Sequence, residues 1–320
     1  MRGDDDGSVT SRAPGSVLVL GEALCDLVID VDGSVTSALG GAPYNTARAL
    51  GRLGVPTEFA SPISTDRFGE LLAASLTDAG VDIARAARTE APTTLAAATL
   101  SVDGSASYRF YVEGTSILDV TPIEVGDGPV AAMTGGLALA LPTVARSIEP
   151  LLNSGLPLFL DVNCRPALID DRSAFLDRVH RFAARSDLVK VSDEDARWMA
   201  DPDTGTGGAV ERIVDELLSL GARAVVVTAG GDSVLIATAS GRAQVEVPTV
   251  EVVDTIGAGD AFDAGLIAYW IRAGADREAL GNLELLTSAV GAGVAVSAMV
   301  CRRRGADPPR LSQLADELWP

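Results

Sequence analysis

Asp254-Thr255-Ile256-Gly257-Ala258-Gly259-Asp260-Ala261-Phe262 follows a strand-like segment, Gln244–Val253, and opens a helix. Its small residues let the backbone come close to a ligand. The N–H groups at a helix start point outward, so the turn is an anion site suited to phosphate. Asp260 puts a carboxylate at the same spot. A carboxylate beside phosphate-binding amides repels the ligand unless it has a purpose, and taking the proton of an attacking hydroxyl is such a purpose. The amides and the helix dipole favour its ionised form. The plainer alternative is an Asp-capped helix after a glycine-rich turn. A dinucleotide fingerprint is excluded, because Phe262 stands at the third glycine position.

Outward from this motif the chain alternates short apolar runs with longer amphipathic segments. Val17–Leu20, Gly136–Leu141, Leu158–Val162, Leu188–Val191 and Ala224–Thr228 read as buried strands. Ala42–Leu53, Phe68–Ala79, Val144–Asn153, Phe175–Ala184 and Ala209–Leu220 read as helices, several stopped by a glycine (Gly54, Gly80, Gly155, Gly221). That rhythm predicts a three-layer α/β/α body with a mostly parallel sheet. Two stretches break it: Leu27–Val31 with Asp32-Gly33, and the hairpin Thr94–Val102, Asp103-Gly104, Ser107–Val112. They predict a small antiparallel β-lid inserted at about 25–37 and 94–116 of a single domain spanning 17–320. The last third reads as helices Ala258–Ala273, Leu280–Ala298 and a short Leu311–Leu318. Residues 1–16 read as a disordered leader.

Composition narrows the function. Against 44 Asp+Glu stand 25 Lys+Arg, a net charge of −19 over 320 residues. Nucleic acid and an anionic membrane surface are therefore not expected partners. No apolar run has the ~18 residues of a membrane span. The single histidine, His180, leaves almost no material for a triad or a multi-His metal site, and reads as a surface or boundary residue. Lys190 is the single lysine, which reads as a coding bias toward Arg, and no P-loop exists. Cys25, Cys164 and Cys301 are far apart, as expected of reduced thiols in a cytoplasmic protein. Cys25 adjoins Asp26 and Cys164 adjoins Asn163, which would put two thiols near a ligand; inert buried thiols are the alternative.

Two further segments suit a polyol. In Gly40-Gly41-Ala42-Pro43-Tyr44-Asn45-Thr46-Ala47 the glycines allow close backbone approach, and Asn45 can donate to and accept from a diol. A structural turn would use the same residues. Gly21-Glu22-Ala23-Leu24-Cys25-Asp26 follows the first strand, where ligands of open α/β sheets bind, although a solvated loop Asp is common there.

Together, the double-glycine segment and the Asp-Thr-x-Gly-Ala-Gly-Asp-x-Phe segment resemble the two signatures of the ribokinase (PfkB) family of sugar kinases. Asp161–Pro166, Lys190–Asp195 and Phe110–Thr115 resemble segments of its bacterial fructokinases. The resemblance implies transfer of the ATP γ-phosphate to a sugar hydroxyl. It implies Asp260 as base and the amides of Gly257, Ala258 and Gly259 as the anion hole. Asp26, Gly41, Asn45, Asn163 and Arg165 would hold the sugar, and Ser192, Thr228 and Gly230 the nucleotide. Asp254 and the carbonyl of Ile256 would hold a monovalent cation, expected to be K+. Mg2+ would come with ATP. Where relatives carry Asn-x-x-Glu this chain has Ser192 and Asp195, and Asp195 would act on magnesium through water. The lid would exclude water and could join two copies as a homodimer. The sugar-contact segments carry no cation, and Val112 stands where ketodeoxygluconate kinases carry Arg. A neutral sugar, fructose first, is therefore expected, with ribose, a nucleoside or a sugar acid as alternatives. A catalytically silent sugar- or nucleotide-binding protein is the rival from another class.

Overall fold

The computed structural model describes residues 15–101, 106–200 and 207–320. Most of the predicted leader and the Asp103-Gly104 turn lie outside the described residues. In chain order the strands are β1 Ser16–Leu20, β2 Leu24–Ile29, β3 Val35–Gly40, β4 Thr57–Phe59, β5 Ile63–Ser64, β6 Val81–Asp82, β7 Arg88–Thr89, β8 Thr94–Leu100, β9 Ala106–Tyr111, β10 Pro129–Gly135, β11 Leu158–Asp161, β12 Leu188–Ser192, β13 Ala224–Thr228, β14 Val234–Thr238 and β15 Gly241–Val245. The helices are α1 Ala42–Arg52, α2 Arg67–Asp78, α3 Leu137–Ala140, α4 Pro142–Ile148, α5 Arg172–Ala183, α6 Asp193–Met199, α7 Ala209–Leu220, α8 Ala258–Arg272 and α9 Leu283–Cys301.

The large sheet runs β15-β14-β13-β12-β11-β10-β1-β4-β6. It is parallel from β13 to β6, and β14 and β15 extend it antiparallel. Strand alternation divides two apolar layers. Val17 and Val19 of β1 face α1, α2, α8 and α9, whereas Leu18 and Leu20 face α3 to α7. A fully buried side chain of this size contributes about 1.5–3 kcal/mol, so a one-residue slip of β1 would bury each layer's residues against the wrong partners. The second sheet, β3-β2-β8-β9, is made of two antiparallel hairpins joined by a parallel β2–β8 pair. It forms the lid over the carboxyl ends of the main strands.

Several predicted elements move. Gly136–Leu141 is not a strand. Gly136 has φ 58°, and the residues after it form α3, whose first amide, Leu137 N, donates to the buried Glu22 carboxylate (3.1 Å). The strand is the preceding Pro129–Gly135. An apolar run carries no periodicity to tell the two apart. Gln244–Val253 is strand only to Val245; Val252 and Val253 beyond it are exposed. The second half of Val144–Asn153 is a 3₁₀ turn, Glu149–Asn153, which begins before Pro150. The last long helix starts at Leu283 because Asn282 caps it, accepting from the amides of Glu284 and Leu285. Leu311–Leu318 is two separate 3₁₀ turns. α9 is long and apolar enough for a membrane span by composition, yet Leu286, Ala289, Val290 and Val296 belong to the core it forms with α8.

Candidate active site

The carboxyl ends of β1, β10, β11 and β12, the start of α8 and the underside of the lid enclose a cavity of about 630 Å³. Its lid wall is Ala96, Ala98, Tyr108 and Phe110, which alternate along β8 and β9 so that one face looks inward. Of the residues predicted to hold a sugar, Asp26, Gly41, Asn45, Asn163 and Arg165 all line it, together with Asp260, Gly257, Gly259 and Ile256.

Gly257 has φ 76°, and a Cβ there would lie 2.6 Å from Ala306 Cβ, so the turn into α8 requires glycine. The helix then delivers Asp260 in its first turn, buried. Asn45 Nδ2 donates to Asp260 Oδ2 at 2.8 Å across 215 residues of sequence, coupling the two glycine-rich segments directly. Asn45 Oδ1 is buried and has no hydrogen-bond partner. Of the anion-hole amides, Ala258 N donates to Thr255 O (3.1 Å). Burial pushes the Asp260 carboxyl up to about 7; the Asn45 hydrogen bond opposes this, Asp161 adds to it, and Lys190 and Arg165 oppose it. This reverses the sequence expectation. The helix start favours the anion, but desolvation outweighs it. A carboxylate that titrates near neutrality is better matched to accepting a proton.

The sugar side is organised by a residue that sequence reasoning passed over. Glu22 is fully buried, and its two oxygens accept from Ala42 N (3.0 Å) and Leu137 N (3.1 Å). It joins the starts of α1 and α3. Gly41, at φ 109°, passes so close that a Cβ would lie 2.6 Å from Glu22 O. The signal was a Glu two residues past the end of an apolar strand, where the fold buries it. Burial pushes Glu22 up, and pushes Asp26 to about 6 despite Arg165. Asn163 turns the chain with φ 42°, a left-handed value that Asn tolerates better than most residues, and its Oδ1 accepts from Arg165 Nη1.

Ser192 and Thr228 pair in register at the ends of β12 and β13, with Gly230 (φ 59°) just beyond, and none of the three is in the lining of the cavity. Ser192 caps α6. Asp195 closes a capping box on it, accepting from Ser192 N (2.9 Å) and also from Cys164 N (2.8 Å). Both oxygens thus hold backbone, which gives Asp195 a structural task and leaves one lone pair on each for a water. Asp254 is arranged likewise, with Oδ1 accepting from Ile256 N (3.0 Å) and Oδ2 from Gly305 N (2.8 Å). Each oxygen keeps a lone pair free to meet a cation. Cys164 lines the cavity, whereas Cys25 is packed away from it; burial pushes the Cys25 thiol to about 11 and the Cys164 thiol higher still. Of the two thiols expected near a ligand, only Cys164 is in the cavity lining, and burial disfavours the thiolate of both. His180 sits half-buried on α5, with Nε2 3.1 Å from Glu216.

With this geometry in hand, comparison with known proteins is direct. The pattern of the pfkB family carbohydrate kinases matches residues 15–313. A fructokinase of Rhizobium leguminosarum bv. trifolii is 38% identical over 263 residues, covering 79% of this chain and 78% of the relative. Among solved structures, fructokinase with bound ATP from Xylella fastidiosa is 26% identical and superposes with a TM-score of 0.85, covering 94% of this chain and 97% of the other. A double mutant of fructokinase from Vibrio cholerae O395, bound to fructose, ADP and potassium ion, is 25% identical with a TM-score of 0.77, covering 92% and 95%.

Proposed function

The chain belongs to the pfkB family of carbohydrate kinases, and we propose that it transfers the γ-phosphate of ATP to a hydroxyl of fructose. The observation that carries the choice of sugar is the charge of the cavity. Among the described residues Glu22, Asp26, Glu194 and Asp260 line it against Arg165 and Lys190, so carboxylates outnumber cations four to two. Arg165 is already engaged by Asn163, and the lid adds no cation to the lining: Leu24, Asp26, Leu27 and Val28 from β2, and alanines and aromatic rings from β8 and β9. An anionic sugar would meet uncompensated repulsion there, whereas a neutral polyol finds acceptors and donors in Asp26, Asn45, Asn163 and the Gly41 backbone.

In this reading Asn45 fixes one oxygen of Asp260, and the other faces the sugar hydroxyl. As the hydroxyl oxygen bonds to the γ-phosphorus, the bond to the β,γ-bridging oxygen of ATP breaks and ADP leaves. The hydroxyl proton passes to Asp260. The amides of Gly257, Ala258 and Gly259 take the charge of the transferring group, Ala258 N turning from Thr255 O to do so. Ser192, Thr228 and Gly230 line the nucleotide. Magnesium arrives with ATP and supplies charge neutralisation of the phosphates when bound; Asp195 would reach it through water. Asp254 and the Ile256 carbonyl would hold potassium. The lid's exposed Val31, Val35 and Tyr111 favour a homodimer through that sheet, and the unpaired cysteines favour a cytoplasmic site of action. A coupled assay of ATP turnover over a panel of free sugars tests the reading. Fructose should give the highest kcat/KM; turnover with no sugar of the panel, despite nucleotide binding, would leave the binding-protein reading in its place.

A further inference from the structure

The only lysine of the chain lies in the floor of the cavity. Lys190 and Asp161 are register partners on β12 and β11. Both occupy positions whose neighbours two residues back, Leu188 and Phe159, belong to the apolar layer under α8. An ordinary sheet would place aliphatic side chains there. Instead Lys190 Nζ lies 3.0 Å from Asp161 Oδ2, with 7% and 2% of the two side chains exposed. A buried pair of this kind adds little stability over an apolar pair, because desolvation offsets the attraction. Its position suggests another use. A Cβ on Gly259 would lie 3.1 Å from Lys190 Nζ, so the ammonium is packed directly beneath the anion-binding turn. Asp263, one helical turn after Gly259 and Asp260, closes the group from α8.

We propose that Lys190 is a positioning residue for phosphoryl transfer: held by Asp161 and packed beneath Gly259, its ammonium fixes the anion-binding turn beside Asp260. The proposal rests on the kinase reading with Asp260 as base. Burial alone would strip Lys190 of its proton, but Asp161, Asp263 and Asp195 outweigh burial and keep it charged. Burial pushes the Asp263 carboxyl up, and Asp161 and Asp260 reinforce this against the pull of Lys190. The group therefore carries Asp161 and Lys190 as a pair, with Asp260 left to titrate. Arg165 faces Asp260 from the loop after β11, and Glu194 and Asp26 face it across the cavity. Removing Lys190 would leave those carboxylates with Arg165 as the one cation among the described residues of the cavity lining.

The test is steady-state kinetics of Lys190→Met in the full chain, with fructose and MgATP, across pH. The expected result is a kcat loss of about 100-fold, a fructose KM within about threefold, and an acid limb of kcat displaced upward by about one pH unit. A purely structural lysine would lower the melting temperature and leave the limb in place. Lys190→Met strands a buried Asp161 carboxylate and can fail to fold for that reason. The double variant Lys190→Met with Asp161→Asn removes both charges and tests the same point in a neutral floor. The two effects on Asp260 offset in the double variant, so the limb is read in Lys190→Met alone; an unmoved limb there, or wild-type kcat in either folded variant, overturns the proposal. A wild-type chain that phosphorylates no sugar overturns the kinase reading along with it, and is recognised before any variant is made.

Discussion

Replacing Asp260 by Asn should make the protein more stable and nearly inactive. Asn keeps the shape, and its carbonyl can accept from Asn45 Nδ2 as Oδ2 does now. The carboxyl titrates near 3.8 when solvated and at about 7 in the fold. The unfolded chain thus releases this proton at lower pH than the native one. Stability is lost as pH rises from about 4 to about 7 and is level above that. At about 1.4 kcal/mol per tenfold, the gap makes the ionised carboxylate cost the native state roughly 4 kcal/mol at pH 8. Asp260→Asn lacks that titration. Urea unfolding should show the variant more stable at pH 8 by up to that amount, and level with wild type near pH 4. Wild-type kcat should climb about tenfold per pH unit toward a plateau near 7. The variant should lose kcat by roughly 10²–10⁴, with nucleotide affinity held or tightened because a repelling charge is gone. A folded Asp260→Asn protein less stable than wild type at pH 8, or one keeping more than about a tenth of kcat when chemistry limits turnover, would refute the assignment of Asp260 as a strained base.

Gly41→Ala forces a side chain into φ 109° and against Glu22 O, so fructose KM should rise about tenfold or more, roughly 1.4 kcal/mol, while the KM for ATP stays put; equal changes in both would point to general damage. Asp254 braces the loop before α8 through Ile256 and Gly305, so activity should rise when potassium replaces a bulky organic cation at constant ionic strength, and a flat titration on ion-free protein would remove the site. Alkylation of the native enzyme should label Cys301 ahead of the buried Cys25 and Cys164 and leave activity intact; rapid loss that fructose prevents would show that the lid opens onto Cys164.

The sequence carries the site more clearly than it carries the lining around it. The two glycine-rich segments are legible because glycine and Asp or Asn at fixed spacing have few other uses, and the Asn45–Asp260 hydrogen bond joins them. Lys190 was hidden. A single lysine among arginines looks like codon usage, and only the register of β11 against β12 sets it beside Asp161. Glu22 was hidden for a similar reason, since nothing local says that a Glu after a strand meets the amides of two separate helices. The rise of Asp260 to about 7 needed the depth of its burial, which a helix-start argument leaves out. Gly136–Leu141 was misread because an apolar segment shorter than two helical turns fits either state; Gly136, with φ 58°, decides it.

The central claim is that a net-negative, lid-covered cavity beside Asp260 phosphorylates a neutral ketohexose. The most direct test compares kcat/KM for fructose, fructose 6-phosphate and ketodeoxygluconate under one set of conditions, with ATP saturating. Fructose should lead both anionic sugars by at least tenfold, about 1.4 kcal/mol in transition-state binding. A tenfold preference for either anion would contradict the account, and would mean that Arg165 leaves Asn163 to pair with the substrate.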